Sequence, residues 1–332
     1  MTAFTFYELL GDVDEQLVCA ARPERTRRRH IRPLLLAAVL ALLLAGFSEA
    51  TRGSVSNLFA PLYGSSRTEI IDGVGRPVNA SAAAGGYTVT AEAVVGDRYN
   101  FAIVYTLTRD DGDPIPDNIA FDGWTNSLTA GSGAGVYGAE DVEGLPANQK
   151  RLIEQWGREL PLILRRHAHV RFSGLRELAE DGTPGEGALL AEGPWELDFS
   201  LRYADTTQQV SIPKDFVVSD ENRREYAISK VQLSPFSVHV DLSTANPSAG
   251  YTWEEYKAAG RPDNEQEYLP DFTVELKLKD GIEPPWVGKN VSGHGTIGEP
   301  TQKNSVNAHF GVPVLPDEVE AIVLCGTEIP VK

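Results

Sequence analysis

The chain has 332 residues, enough for about two domains of ordinary size. It carries 30 Lys and Arg against 47 Asp and Glu, a formal net charge of −17, and the excess of acidic residues lies entirely after residue 50. Such a surface repels nucleic acid and anionic lipid, because binding either one requires basic side chains that neutralise phosphates. We therefore expect no nucleic-acid partner.

The segment 31–50 is predicted to be a transmembrane helix. An uncharged apolar run from Pro33 to Phe47 follows an arginine cluster at 22–32. Basic residues beside an apolar segment stay in the cytoplasm, so the N-terminus should be inside and the acidic body outside the cell membrane. The run is short for a hydrocarbon core of about 30 Å. A signal peptide cleaved after residues 48–50, or a buried core helix, are the alternatives.

The cytoplasmic segment 1–30 carries an apolar ridge. Phe6, Leu10, Val13 and Leu17 follow one another at helical spacing, which predicts a short amphipathic helix. A lone helix of this length is marginal in water, so the ridge predicts a partner. We assign these four residues as a partner-binding face. A solvated tail, or one that lies on the membrane, is the alternative.

The remainder of the chain has the pattern of short strands. Apolar residues alternate with polar ones on both sides of Gly96-Asp97, which predicts a hairpin over 87–109. Helical patterns are few: one short helix is predicted within 146–160, and a turn or two within 252–260. We expect a mainly β protein with two immunoglobulin-like β-sandwich domains, the first extracytoplasmic domain at 51–205 and the second at 206–332.

Several stretches together resemble a known family. They are "YELLGDVDEQLVCAA", "YTVTAEAVVGDRYNFAIVYTLT", "ISKVQLSPFSVHVDLS" and "VEAIVLCGTEIPV". With the arginines and the apolar segment, they resemble the membrane-anchored domain-of-unknown-function proteins (DUF 4179-type) of Gram-positive bacteria, many of which are encoded beside extracytoplasmic-function sigma factors. The resemblance implies an anti-sigma-like regulator whose N-terminal helix binds a cytoplasmic sigma factor. The zinc-binding pattern of zinc-type anti-sigma domains is missing, since Cys19 and His30 stand alone in that region.

No set of residues predicts catalysis, cofactor binding or a metal site. His167 and His169 share one strand face and could hold a metal, but two ligands do not make a site. The acidic run 110–113 is more typical of a hairpin tip than of a calcium loop, because the distal Glu is missing. Cys325 is predicted to be a small buried residue of a strand. Sandwich cores are the expected place for Trp124, Trp156, Trp195, Trp253 and Trp286.

Two functions from different classes remain. The first is a single-pass membrane-anchored regulator that couples an extracytoplasmic β region to a cytoplasmic partner. The second is an anchored cell-envelope binding or scaffold protein without a signalling role. An anchored enzyme ranks third, since the sequence contains no GxSxG, Walker or dinucleotide fingerprint. The bilayer itself is an expected partner, and the sequence identifies no extracytoplasmic ligand.

Overall fold

The computed structural model describes residues 55–331 apart from gaps at 130–132, 141, 143, 159–160, 163–166, 179–186, 247–248, 251, 259–271, 280–281, 283, 286 and 295–298. The described residues belong to one compact unit, residues 53–332. The predicted cytoplasmic helix within 1–30 and the predicted transmembrane helix at 31–50 lie outside the described residues. Within the described part of the chain, no helix has both the length and the apolar character needed to cross a membrane.

The fold is mainly β and antiparallel, which confirms the predicted class in this coarser form. Among the described residues, three short helices come first: α1 (Val55–Leu58), α2 (Ala60–Tyr63) and α3 (Thr68–Val74). A fourth, α4, covers Trp253–Ala258. The strands are β1 (Arg76–Ala84), β2 (Tyr87–Gly96), β3 (Asn100–Arg109), β4 (Ile119–Asn126), β5 (Gly133–Glu140), β6 (Gln149–Arg158), β7 (His167–Glu177), β8 (Leu189–Ala191), β9 (Trp195–Ser200), β10 (Gln208–Val210), β11 (Val217–Ser219), β12 (Glu225–Leu233), β13 (Ser237–Ala245), β14 (Val274–Leu278), β15 (Val287–His294), β16 (Thr301–Phe310), β17 (Val319–Leu324) and β18 (Thr327–Pro330).

The first pair of sheets encloses one hydrophobic core. Sheet I has the strand order β1-β2-β3-β6-β5, and sheet II places β4 on one side of β7 with β8 and β9 on the other. Along β9 the side chains alternate strictly between buried and exposed, so Trp195, Leu197 and Phe199 point inward. The Trp195 indole N–H donates to the Tyr87 carbonyl at 2.8 Å, which ties sheet II to sheet I.

Sheet I is covered on its second face by the helices. The end of β2, from Ala93 to Gly96, and most of β3 are therefore buried on both faces and lose the simple alternation of a half-exposed strand. The first six residues of β2 keep that alternation. Phe59 of α2's N-cap position, Tyr63 of α2 and Ile71 of α3 pack against Ala102 and Val104 of β3. The residues that follow the predicted membrane segment are thus part of the folded body.

The second pair of sheets encloses another core. Sheet III has the order β10-β12-β13-β16-β15, with β11 also paired to β12, and sheet IV has the order β14-β17-β18. The inward side chains include Tyr226 and Phe272, whose rings meet edge to face at 5.3 Å, and Phe310. The strands of the first pair end at Ser200, and those of the second pair begin at Gln208.

The short helix predicted within 146–160 is wrong. Residues Gln149–Arg158 form β6, which pairs with β3 on one side and β5 on the other. Leu152 faces the core between sheets I and II, whereas Ile153 faces the helices. Two adjacent apolar residues on opposite faces require a strand. The polar residues Glu154 and Arg158 are also buried, so the apolar residues of this stretch do not by themselves show the two-residue period of a strand. The helical turn predicted within 252–260 is confirmed by α4.

Candidate functional site

Two hairpin turns, one from each pair of sheets, interlock between the cores. The turn between β2 and β3 carries Asp97, which is 1% exposed. Its Oδ1 accepts hydrogen bonds from the backbone amides of Tyr99 and Asn100, both at 2.8 Å. Its Oδ2 accepts from the hydroxyls of Ser234 and Ser237, which flank the turn between β12 and β13. One buried carboxylate therefore organises its own turn and binds the opposing turn.

An amide pair extends this contact onto sheet III. Asn307 of β16 donates from Nδ2 to Oδ1 of Asn100 at 2.6 Å, and Asn100 Nδ2 donates to Asp97 Oδ1 at 2.9 Å. Asn307 lies on the face of β16 opposite the core residues Val306 and Ala308. The outer face of sheet III is thus polar but buried, because the hairpin of the first pair covers it.

Tyr99 reaches furthest across this face. Its ring stacks on the imidazole of His239 at 3.5 Å between centroids, with the planes 6° apart. Its hydroxyl donates to Gln232 Oε1 and accepts from Lys230 Nζ, both at 2.7 Å. His239 Nε2 lies 3.0 Å from Asp241 Oδ1. Burial acts to raise the pKa of Asp241, but the hydrogen bond with His239 and the nearby cationic charge together lower it.

Phe236 makes the reciprocal insertion. It lies at the tip of the β12–β13 turn and packs into the layer between α1–α3 and sheet I, 5.5 Å from the Tyr63 ring. Burial, together with the charge of Asp97, raises the pKa of the Tyr63 phenol. Arg67, just before α3, pairs with Glu318 ahead of β17 at 2.6 Å. The helices therefore contact both pairs of sheets.

We call this region the junction, defined by Asp97, Tyr99, Asn100, Ser234, Phe236, Ser237, His239 and Asn307. Apart from His239 Nδ1, which is buried without a hydrogen-bond partner, its buried polar side chains are hydrogen-bonded to one another. Such matching is the condition for a buried network to stabilise a fold. His239 is 2% exposed beneath Tyr99, so its ring is closed to a substrate. The arrangement holds two cores in one orientation and does not offer a reacting atom.

A second polar site lies inside the first core. Glu154 of β6 has no exposed surface, and it accepts hydrogen bonds from the Tyr105 hydroxyl and from Asn126 Nδ2, each at 2.7 Å. Asn126 Oδ1 accepts from the Leu128 amide, which fixes the orientation of its side-chain amide. Burial without a cationic partner raises the pKa of Glu154 to about 7, although the two hydrogen bonds oppose the shift.

A surface cleft of about 660 Å³ lies between the loop after β3 and the loop before β6. Its walls are aliphatic and proline side chains, and the ion pair between Lys150 and Asp117 at 3.0 Å lies at the cleft. The Ile115 amide donates to the Ala147 carbonyl at 2.9 Å, which joins the two loops. The cleft is apolar with one cation and one anion, the general make-up of a small ligand site.

The predicted partner-binding residues Phe6, Leu10, Val13 and Leu17 lie outside the described residues. The acidic run 110–113 forms a turn after β3, but it is not the predicted hairpin tip, because the next strand, β4, belongs to sheet II. Arg109 pairs with Asp111 there at 2.9 Å. The hydrogen bond from the Asp113 amide lowers the pKa of Asp111.

The other predicted candidates have mixed outcomes. Trp195 is fully buried in the first core, and Trp124 and Trp156 pack against it. Cys325 is half-buried, with φ of 46°, in the tight turn between β17 and β18 instead of within a strand. Burial raises the pKa of its thiol. His167 and His169 are exposed on β7.

The junction was not predicted from the sequence. Its signal was present, because Asp97 sits in a tight turn and β13 carries polar residues between Val238, Val240 and Leu242. A single sequence does not show that two such turns meet.

Comparisons with known proteins add little to this picture. No family model matches the chain, and none of the curated proteins matches it. One similar solved structure is described as the crystal structure of the conserved domain protein from Bacillus anthracis, with a TM-score of 0.47 and 14% identity. The match covers 75% of this chain and 76% of that chain. A similarity of this size carries no argument about fold or function.

Proposed function

We propose that the protein is a single-pass membrane-anchored regulator, anti-sigma-like in type. In this proposal residues 31–50 span the cell membrane and residues 1–30 bind a cytoplasmic sigma factor through Phe6, Leu10, Val13 and Leu17. Residues 51–205 and 206–332 are two extracytoplasmic immunoglobulin-like domains. In this function the extracytoplasmic body binds a ligand and does not catalyse a reaction.

One observation supports a regulator best: the helices nearest to the proposed membrane segment contact both pairs of sheets. Tyr63 meets Phe236, and Arg67 meets Glu318. The chain that emerges from the membrane is therefore packed into the body from residue 55 onward and is not a loose tether. A shift of either pair of sheets would reach α1–α3 through direct contacts.

The cleft around Lys150 is the proposed site for an extracytoplasmic ligand. It lies in the first pair of sheets, at loops that follow β3 and precede β6. Both strands belong to sheet I, and the face of sheet I that is turned away from sheet II packs against the helices. A ligand that moves these loops would act on the same sheet that holds α1–α3.

The alternative is an anchored envelope-binding or scaffold protein without signalling. The junction is compatible with this alternative. A buried network that fixes the two cores in one orientation suits a rigid scaffold as well as a regulator. The two functions differ in what residues 1–30 do, since a scaffold has no need of a cytoplasmic partner.

Capture of a sigma factor by the full-length chain separates the two functions. The chain is expressed with an extracytoplasmic-function sigma factor from the same genome, purified, and probed for that factor. We expect capture by the wild type and loss of capture in the Leu10→Asp, Leu17→Asp double variant, because charge on the ridge prevents docking in an apolar groove. Asp12→Asn with Asp14→Asn is the matched control that keeps the ridge. Absence of capture by the wild type, or equal capture by the double variant, supports the scaffold.

A further inference from the structure

The outer face of sheet II brings two imidazoles and a carboxylate together. Along β7 the residues alternate between exposed and buried, which places His167 and His169 on the same outer face. On the neighbouring strand β9, Asp198 is also exposed and lies directly opposite His169 in the register. Three metal-ligating side chains from two adjacent strands therefore share one patch of surface.

The distances between these groups are close to those of a metal site. Asp198 Oδ1 lies 3.0 Å from His169 Nδ1 and 3.6 Å from His167 Nε2. Around a tetrahedral zinc ion with bonds of about 2.1 Å, ligand atoms lie about 3.4 Å apart. Two of the three ligand-to-ligand distances thus lie within a few tenths of an ångström of the required value.

Closure of all three side chains on one ion needs a side-chain movement. Among the described residues, no three His, Cys, Asp or Glu side chains already surround a common metal position. The side chains of His167, His169 and Asp198 are 66%, 49% and 59% exposed, so they can rotate without disturbing the core. The backbone beneath them is fixed, because β7 and β9 pair over six residues and Ala168 and Val170 are fully buried.

We propose that His167, His169 and Asp198 bind a divalent transition-metal ion such as Zn²⁺. Two imidazoles and one carboxylate are a donor set that zinc accepts with the fourth position left to water or to a group from another molecule. The strand pair supplies the fixed spacing, and the three exposed side chains close on the ion. The site is independent of the proposed sigma-factor contact, since its residues lie on β7 and β9.

Zinc titration of the metal-free full-length chain by calorimetry tests the proposal. We expect the wild type to bind one zinc equivalent more than His169→Ala, and Asp198→Asn and His167→Ala to lose the same equivalent. Other histidines and Cys19 and Cys325 are common to all variants, so their contribution cancels in the difference.

Glu196→Gln is the matched control. Glu196 lies two residues before Asp198 on the same exposed face of β9, where it pairs with Arg171 at 3.1 Å. This variant removes an equivalent charge from the same strand and should keep the full zinc equivalent. Equal stoichiometry in the wild type and in His169→Ala would overturn the proposal. So would the loss of the same equivalent in Glu196→Gln, because the effect would then be one of net charge.

Discussion

Replacement of Glu154 by Gln should make the protein less sensitive to rising pH. The carboxyl group lies in the first core with two neutral hydrogen-bond donors and no exposed surface. Gln has nearly the same shape as protonated Glu, and it carries no charge at any pH. Its carbonyl oxygen can still accept from Asn126, and its amide can donate to the Tyr105 hydroxyl.

The magnitude follows from the pKa of Glu154, which burial raises from 4.5 to about 7. Because the folded pKa is the higher one, the folded state binds the proton more tightly than the unfolded chain does. The contribution to stability is fully present below pH 4.5 and is lost as pH rises through 7. At 1.36 kcal/mol for each pH unit, the loss is about 3 kcal/mol.

Urea unfolding of the full-length chain, followed by tryptophan fluorescence at several pH values from 4.5 to 8, measures this effect. The free energy of unfolding of Glu154→Gln minus that of the wild type should rise by about 3 kcal/mol across the range. Groups that titrate in both proteins cancel in the difference. Glu196→Gln, at an exposed site, should show no such trend. A difference that is constant with pH, or one that falls as pH rises, would refute the reasoning.

Three substitutions test the junction by the free energy of unfolding in urea. Asp97→Ala should lower it by about 3 kcal/mol or more, because the hydroxyls of Ser234 and Ser237 and two backbone amides lose their acceptor; an effect below 1 kcal/mol would show that the network contributes little. Phe236→Ala should lower it by about 3–5 kcal/mol through the cavity left beneath the helices, and an unchanged value would contradict the packing described. Tyr99→Phe should lower the free energy of unfolding by about 1–2 kcal/mol, since Gln232 loses its donor while the ring stack on His239 remains. A loss as large as that of Phe236→Ala would contradict a contribution limited to this hydroxyl.

Much of the strand pattern could be predicted from the sequence, because a half-buried strand records its inner face at every second residue. The hairpin over 87–109 follows directly from that pattern. The turn at Cys325-Gly326 does not, because the apolar residues continue through Leu324 and Cys325, which predicts an unbroken strand. Strand β6 could not be predicted in the same way. It is covered on both faces, and Glu154 lies where an apolar residue was expected.

The site was harder to predict than the fold for a related reason. Residues of the junction that face each other, such as Asp97 and Ser237, lie 140 positions apart, and each has an ordinary local role in a turn. The helices α1–α3 were also missed. They are only four to seven residues long, so helical periodicity has too few positions to show in them.

The orientation of the chain across a membrane is the central claim, and thiol labelling of intact cells tests it most directly. The chain has two cysteines: Cys19 in the proposed cytoplasmic segment and Cys325, half-buried at the surface of the body. Variants that retain only one are prepared with Cys325→Ser or Cys19→Ser and treated with a membrane-impermeant maleimide. The proposed topology predicts that Cys325 is labelled in intact cells and Cys19 only after permeabilisation, both in a full-length product found with the membranes. Labelling of Cys19 in intact cells, protection of Cys325 until permeabilisation, or recovery of a shortened soluble product without residues 1–50 would contradict it.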